Sequence, residues 1–218
     1  MLALETEEIL QVCKTTTHAL GNVKRSQISS VHSIRDWHAP FATMHVLHFI
    51  TEHLGKLPTW EEFRAAAQQP PFSDMTWTPA RDAIKEAIRR GSAPDDARGA
   101  MRWRIGNFYY SFLREQYVQA VLRDIGVPVR QHPLADALFR VDCWAGDTNI
   151  DLYIGNPLYR KEKEGRKLQA RRFLNDSRPP FRTCGLELCT QHIFGEVHLP
   201  GRDVIQRAAE QISQQRRQ

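Results

Sequence analysis

Cysteine is scarce and unpatterned in this chain. Cys13, Cys143, Cys184 and Cys189 form no CxxC pair and have no zinc-finger spacing. That argues against a disulfide framework and a structural zinc module, and leaves four thiols expected to be buried in a reducing compartment. No apolar run is long enough to span a bilayer. The acidic start, Met-Leu-Ala-Leu-Glu-Thr-Glu-Glu, lacks the basic and apolar regions of a signal peptide. The expectation is a cytoplasmic protein with no membrane partner. There are no internal repeats and no low-complexity tract beyond a Gln/Arg tail. What remains is ordinary for a folded protein: 41% hydrophobic and 25% charged over 218 residues, enough for one large domain or two small ones.

The net charge of +5 is unevenly spread. Arg160, Lys161, Lys163, Arg166, Lys167, Arg171, Arg172, Arg178 and Arg182 face only three acids, Glu162, Glu164 and Asp176, between residues 160 and 182. This segment carries the whole excess, and the rest of the chain is close to neutral. A basic stripe on a neutral body is the footprint of a polyanion partner, DNA above all. The plainer alternative is a solvated helix face.

Residues 1–95 read as a helical domain. Apolar spacing predicts helices over Glu5–Leu20 and Phe41–Leu54, each stopped by a glycine, with a polar loop over 22–38 between them. Thr59 and Glu62 form a capping box that opens a helix to about Ala67. Pro70-Pro71 marks a break, and Thr78-Pro79 opens a further helix. These last two helices are a weak match to a helix-turn-helix, because the Pro-rich connection is long. From Ala97 to Ile125 one long helix has apolar residues on two faces, as expected of a helix sandwiched between layers.

The period then changes from 3.6 to two. Strands are expected over Val127–Gln131, Leu138–Ala145 and Asn149–Ile154, with Gly146-Asp147 turning between the last two. A basic helix over Lys161–Leu174, a strand over Arg182–Leu188, a further strand over His192–His198 and a helix over Arg202–Gln214 complete the second part, residues 96–218. The fold class is α+β or α/β.

Asp142 and Asp151 lie within adjacent strands among apolar neighbours, where a carboxylate is costly without a partner. Glu115 falls on the same face of the long helix as Phe108, Phe112 and Leu122. Should the hairpin register bring Asp142 and Asp151 to one side, three carboxylates converge, and hard oxygen ligands of this kind suit Mg²⁺ or Mn²⁺. The alternatives are structural: Asp151 paired with Arg140 or Arg130, Asp142 capping a turn, and Glu115 paired with Arg114 or Arg123.

With a helix glutamate, an aspartate on the second strand and an acid on the third, the order of elements over residues 97–190 resembles the PD-(D/E)XK, or restriction-endonuclease-like, nuclease superfamily. The resemblance implies an αβββαβ mixed-sheet domain that cleaves DNA phosphodiester bonds with a divalent metal held by Glu115, Asp142 and Asp151. Two positions depart from the pattern. Val141 stands where a proline is common, and Tyr153 stands where the family has its lysine. A phenol supplies no positive charge to a developing phosphorane, so Lys161 or Lys163 would have to substitute. The alternatives are an inactive, DNA-binding or regulatory version of the fold, or an adaptor whose helical half recruits a protein partner.

Other residues carry weaker signals. His45, His48, Glu52 and His53 have zinc-like spacing on one helix, but a partly exposed histidine edge accounts for them better. Glu187, between Leu186 and Leu188, either extends the acidic cluster or faces solvent. Trp144 is placed to border a nucleic-acid groove by stacking.

Overall fold

The computed structural model describes residues 2–23, 28–29, 31–39, 41–153, 170–174, 176–177, 181–187, 190–194 and 197–217. Among them the N-terminal helices are α1 (Thr6–Thr15), α2 (His32–Arg35), α3 (Thr43–Leu54), α4 (Trp60–Ala67) and α5 (Thr78–Arg89). The capping box of α4 forms as expected: Glu62 N donates to Thr59 Oγ1 at 3.3 Å and Thr59 N to Glu62 Oε2 at 2.9 Å. Between α4 and α5 the chain does not simply break, because Ser73–Trp77 makes a π-helical turn that runs directly into α5.

The long helix is α6 (Pro94–Asp124). It packs against α1, α2, α3 and α5 on one side. On the other it meets strand β5 (Val197–Pro200) and the terminal helix α9 (Arg202–Arg217). This is why it is apolar on two faces: Tyr109, Phe112, Leu113, Val118 and Leu122 are all fully buried. One hydrophobic cluster runs through it from Leu4 to Ile212. Close approach is allowed at Gly106, where an added Cβ would lie 3.1 Å from the backbone of Ala19. The 18–20 segment is held there by Tyr110, whose hydroxyl accepts from Ala19 N at 2.9 Å, and by Arg102, whose Nε donates to Ala19 O at 3.2 Å.

Beyond α6 the structure revises several expected strands. Val127–Gln131 contributes only an isolated bridge, Arg130 to Trp144. The first two residues of the expected Leu138–Ala145 strand belong to a helix, α7 (Pro133–Phe139), capped by His132, whose Nδ1 accepts from Leu134 N. Pro133 at the first helical position suits a helix and not a central strand. Strand β1 is correspondingly short (Cys143–Ala145) and pairs antiparallel with β2 (Thr148–Tyr153). The Gly146-Asp147 turn joins them, with Gly146 at φ 58. Helix α8 (Arg171–Leu174) precedes β3 (Arg182–Glu187), which pairs parallel with β2. The sheet order is β1-β2-β3. The expected single strand over His192–His198 is instead a hairpin of β4 (Thr190–Phe194) with β5. The protein is thus a mixed α+β fold in which helices surround a small mixed sheet.

Candidate active site

The β1–β2 register decides where the acids go. Cys143 lies opposite Ile150. Asp142 lies just before β1, outside the paired residues, and Asp151 lies on β2. The turn into this position is sharp: α7 ends on Arg140 at φ 61, the one non-glycine residue with positive φ among those described. The Asp142 carboxylate then takes a backbone role, with Leu152 N donating to its Oδ2 at 2.8 Å. The Asp151 carboxylate accepts at Oδ1 from Asn149 Nδ2 at 3.1 Å. Both acids are half-buried, as is Glu115 on α6.

The neighbourhood common to all three is marked by Cys143. Its thiol is fully buried and is pushed well above its ordinary pKa, first by burial, then by the charges of Asp142 and Glu115 and, more weakly, Asp151, with Arg123 opposing. Cys184, across from Ile150 on β3, also feels Asp151. Cys13, Cys143 and Cys184 are free and buried, as expected of the thiols, and burial raises Cys13 to about 12. Arg114, beside Glu115 in the chain, is lowered by burial, and the Glu115 charge opposes that shift.

Asn149 is the residue that sequence reasoning missed. It is 1% exposed and shares the Asp151 face of β2 by the two-residue period of a strand. Its amide donates to Asp151 Oδ1 and so orients that carboxylate. The signal was the Asn149-Ile-Asp151 alternation, read only for its acid. Tyr153 continues this face at the exposed end of β2 and pairs with Glu187 on β3. Gly185 leaves room for its ring: an added Cβ there would lie 3.3 Å from Tyr153 Cε1. Glu187, half-buried, thus stands at the same end of the sheet as the acids. Trp144 is half-buried on β1, and its backbone exchanges both hydrogen bonds with Arg130.

Among the described residues no three His, Cys, Asp or Glu side chains form a group that could hold a metal ion as they stand. That is not a misfit for Mg²⁺. This ion keeps several waters and is bound by one or two carboxylates plus substrate phosphate, without an all-protein cage. Of the acids expected to hold such an ion, Asp142 precedes β1, Asp151 lies on β2 and Glu115 lies on α6. Arg160, Lys161, Lys163, Arg166 and Lys167 lie outside the described residues, as does the Arg171 side chain. Arg172 is exposed on α8. Comparisons with protein families, with curated proteins and with solved structures find no match.

On the histidine edge of α3, Glu52 and His53 are exposed while His45 and His48 are buried, with α7 packed beside α3. His45 Nε2 lies 3.2 Å from Asp136 Oδ2, and the His48 ring meets Phe112 edge-on at 4.8 Å. Burial lowers His48 to about 4, with the charges of His45 and His132 adding to the shift and that of Asp136 opposing it. As pH falls from 6.5 towards 4, the unfolded chain takes up a proton here that the folded chain refuses. Stability present above pH 6.5 is therefore lost on acidification, by up to about 3 kcal/mol. His48→Leu is expected to remove this part of the pH dependence. Urea unfolding of both proteins at pH 7 and at pH 4.5 checks it: equal losses would show that His48 is not the group responsible.

Proposed function

We propose that this is a DNA-binding protein whose second half is a divalent-metal-dependent endonuclease of the PD-(D/E)XK kind. The observation that carries the reading is that Asp142, at the entry to β1, reaches across to β2 and accepts from Leu152 N, the neighbour of Asp151. The order of a long helix, an antiparallel pair and a third strand parallel to the second supports it further.

In this reading Asp142 and Asp151 would hold Mg²⁺ or Mn²⁺. The Leu152 amide anchors Asp142 and the Asn149 amide aligns Asp151. A divalent ion bound there supplies charge to polarise the scissile phosphate and makes an attacking water more acidic. Glu115 orients water at the edge of the pair. The basic residues from Arg160 to Arg172 grip the phosphate backbone without reading sequence, and Lys161 or Lys163 provides the cation that Tyr153 does not.

Tyr153 itself favours a second reading, in which the same surface binds DNA without cutting it. The two separate in one experiment. Supercoiled plasmid is incubated with the protein in Mn²⁺ or in EDTA, alongside gel shifts at rising salt. Mn²⁺-dependent nicking is expected of the nuclease. Salt-sensitive binding with no cleavage in Mn²⁺ selects the second reading, and absence of binding at low salt removes both.

A further inference from the structure

A cavity of about 550 Å³ lies away from the acidic site, between α4, α5 and α6. Its wall is apolar: Trp60, Met101 and Ile105 are buried, and Trp77, Ile84 and Ile88 are half-buried. Among the described residues five cations, Arg64, Arg81, Lys85, Arg98 and Arg102, stand around it, and no acid lines it. Every polar side chain on the lining is a hydrogen-bond donor, since guanidinium, ammonium and indole groups have no acceptor. Helix backbone carbonyls in the wall are spent within the helices.

A ligand suited to this lining brings acceptors, negative charge and an apolar body. A nucleobase is a poor fit, because its exocyclic amines or ring N–H would meet no acceptor. The volume is that of a small-molecule site. Lys85 and Arg98 are paired with Asp82 and Asp95 at 3.1 and 3.2 Å. These pairs are exposed and so weak enough to yield to a ligand. Arg102 is fixed by the carbonyls of His18 and Ala19 and forms a rigid part of the rim.

We propose that this cavity binds a small amphiphilic anion, an aliphatic or aromatic body bearing one carboxylate or similar head. The body lies along Trp60, Ile84 and Ile105, and the head meets the rim cations that α5 presents one turn apart at Arg81 and Lys85.

Calorimetric titration of the full chain with decanoate, below its micelle concentration, tests this. Saturable binding at one molecule per chain is expected, with 1-decanol at least about tenfold weaker because it lacks the charge. The double variant Arg81→Glu/Lys85→Glu reverses rim charge at exposed positions, and Ile84→Trp fills the cavity. Each is expected to weaken decanoate by about tenfold or more while keeping the native circular dichroism spectrum. Decanoate should raise the melting temperature of the native protein and not that of Ile84→Trp. The proposal is overturned by no saturable heat up to about 1 mM, by equal affinity for decanol, or by variants that fold and bind unchanged. Capture of an acidic amphipathic peptide with no decanoate binding would also overturn it, in favour of a protein-docking groove.

Discussion

On the proposed nuclease reading, Asp142→Asn and Asp151→Asn are each expected to lower Mn²⁺-dependent plasmid nicking by at least about 1,000-fold and to leave the gel shift with plasmid fragments unchanged. Each change removes one of the two carboxylates while keeping side-chain shape. If the metal contributes several kcal/mol of transition-state stabilisation, a loss near 4 kcal/mol corresponds to about three decades in rate. Asparagine is the informative choice at 142, because its amide oxygen still accepts from Leu152 N, a bond made at 2.8 Å in the native protein. Asp142→Ala would strand that N–H and add a stability cost of about 1–3 kcal/mol, mixing folding with catalysis. The readout is initial nicking rate against DNA retention. Asn149→Ala is expected to act in the same direction and less strongly, because it frees Asp151 without removing it.

Tyr109→Ala destabilises the protein by about 4 kcal/mol, the range for deleting a fully buried aromatic ring. Tyr109 is 0% exposed at the centre of α6 and packs against Trp60 and Phe63 at ring distances of 5.4 and 6.1 Å. Its hydroxyl donates to Pro58 O at 2.9 Å and lies 3.2 Å from Thr16 Oγ1, which accepts from Trp60 N. The ring thus ties the ends of α1 and α4 to the long helix. Tyr109→Phe keeps the packing and leaves the Pro58 carbonyl unsatisfied, so about 1–2 kcal/mol is expected. Urea midpoints of the three proteins measure both. A Tyr109→Phe loss as large as that of Tyr109→Ala would move the energy from the ring to the hydroxyl.

What the sequence disclosed depended on how local its cause was. The Thr59–Glu62 capping box, the stop after Leu54 and the Gly146-Asp147 turn are decided within a few residues, and each stands where expected. The two-faced apolar pattern of α6 correctly foretold a helix packed on both sides, because burial writes itself into period. The α7 segment misled for the converse reason. Leu134, Leu138 and Phe139 are 55%, 59% and 44% exposed, so their apolar character does not mark a buried strand. The burial of His45 and His48 depends on that same helix lying against α3, which no period on α3 records. At the acidic site the acids were visible in the sequence, but the bond from Leu152 N to Asp142 depends on how β1 pairs with β2, which strand alternation within one segment does not fix.

The most direct measurement is Mn²⁺ binding to the metal-free protein without DNA, followed by calorimetry or by loss of the free-ion electron paramagnetic resonance signal. One ion per chain is predicted, weakened at least about tenfold in Asp142→Asn and in Asp151→Asn, and less in Glu115→Gln. Mn²⁺ bound equally well by the native protein and both aspartate variants, or not bound at all, would contradict a metal centre on this hairpin.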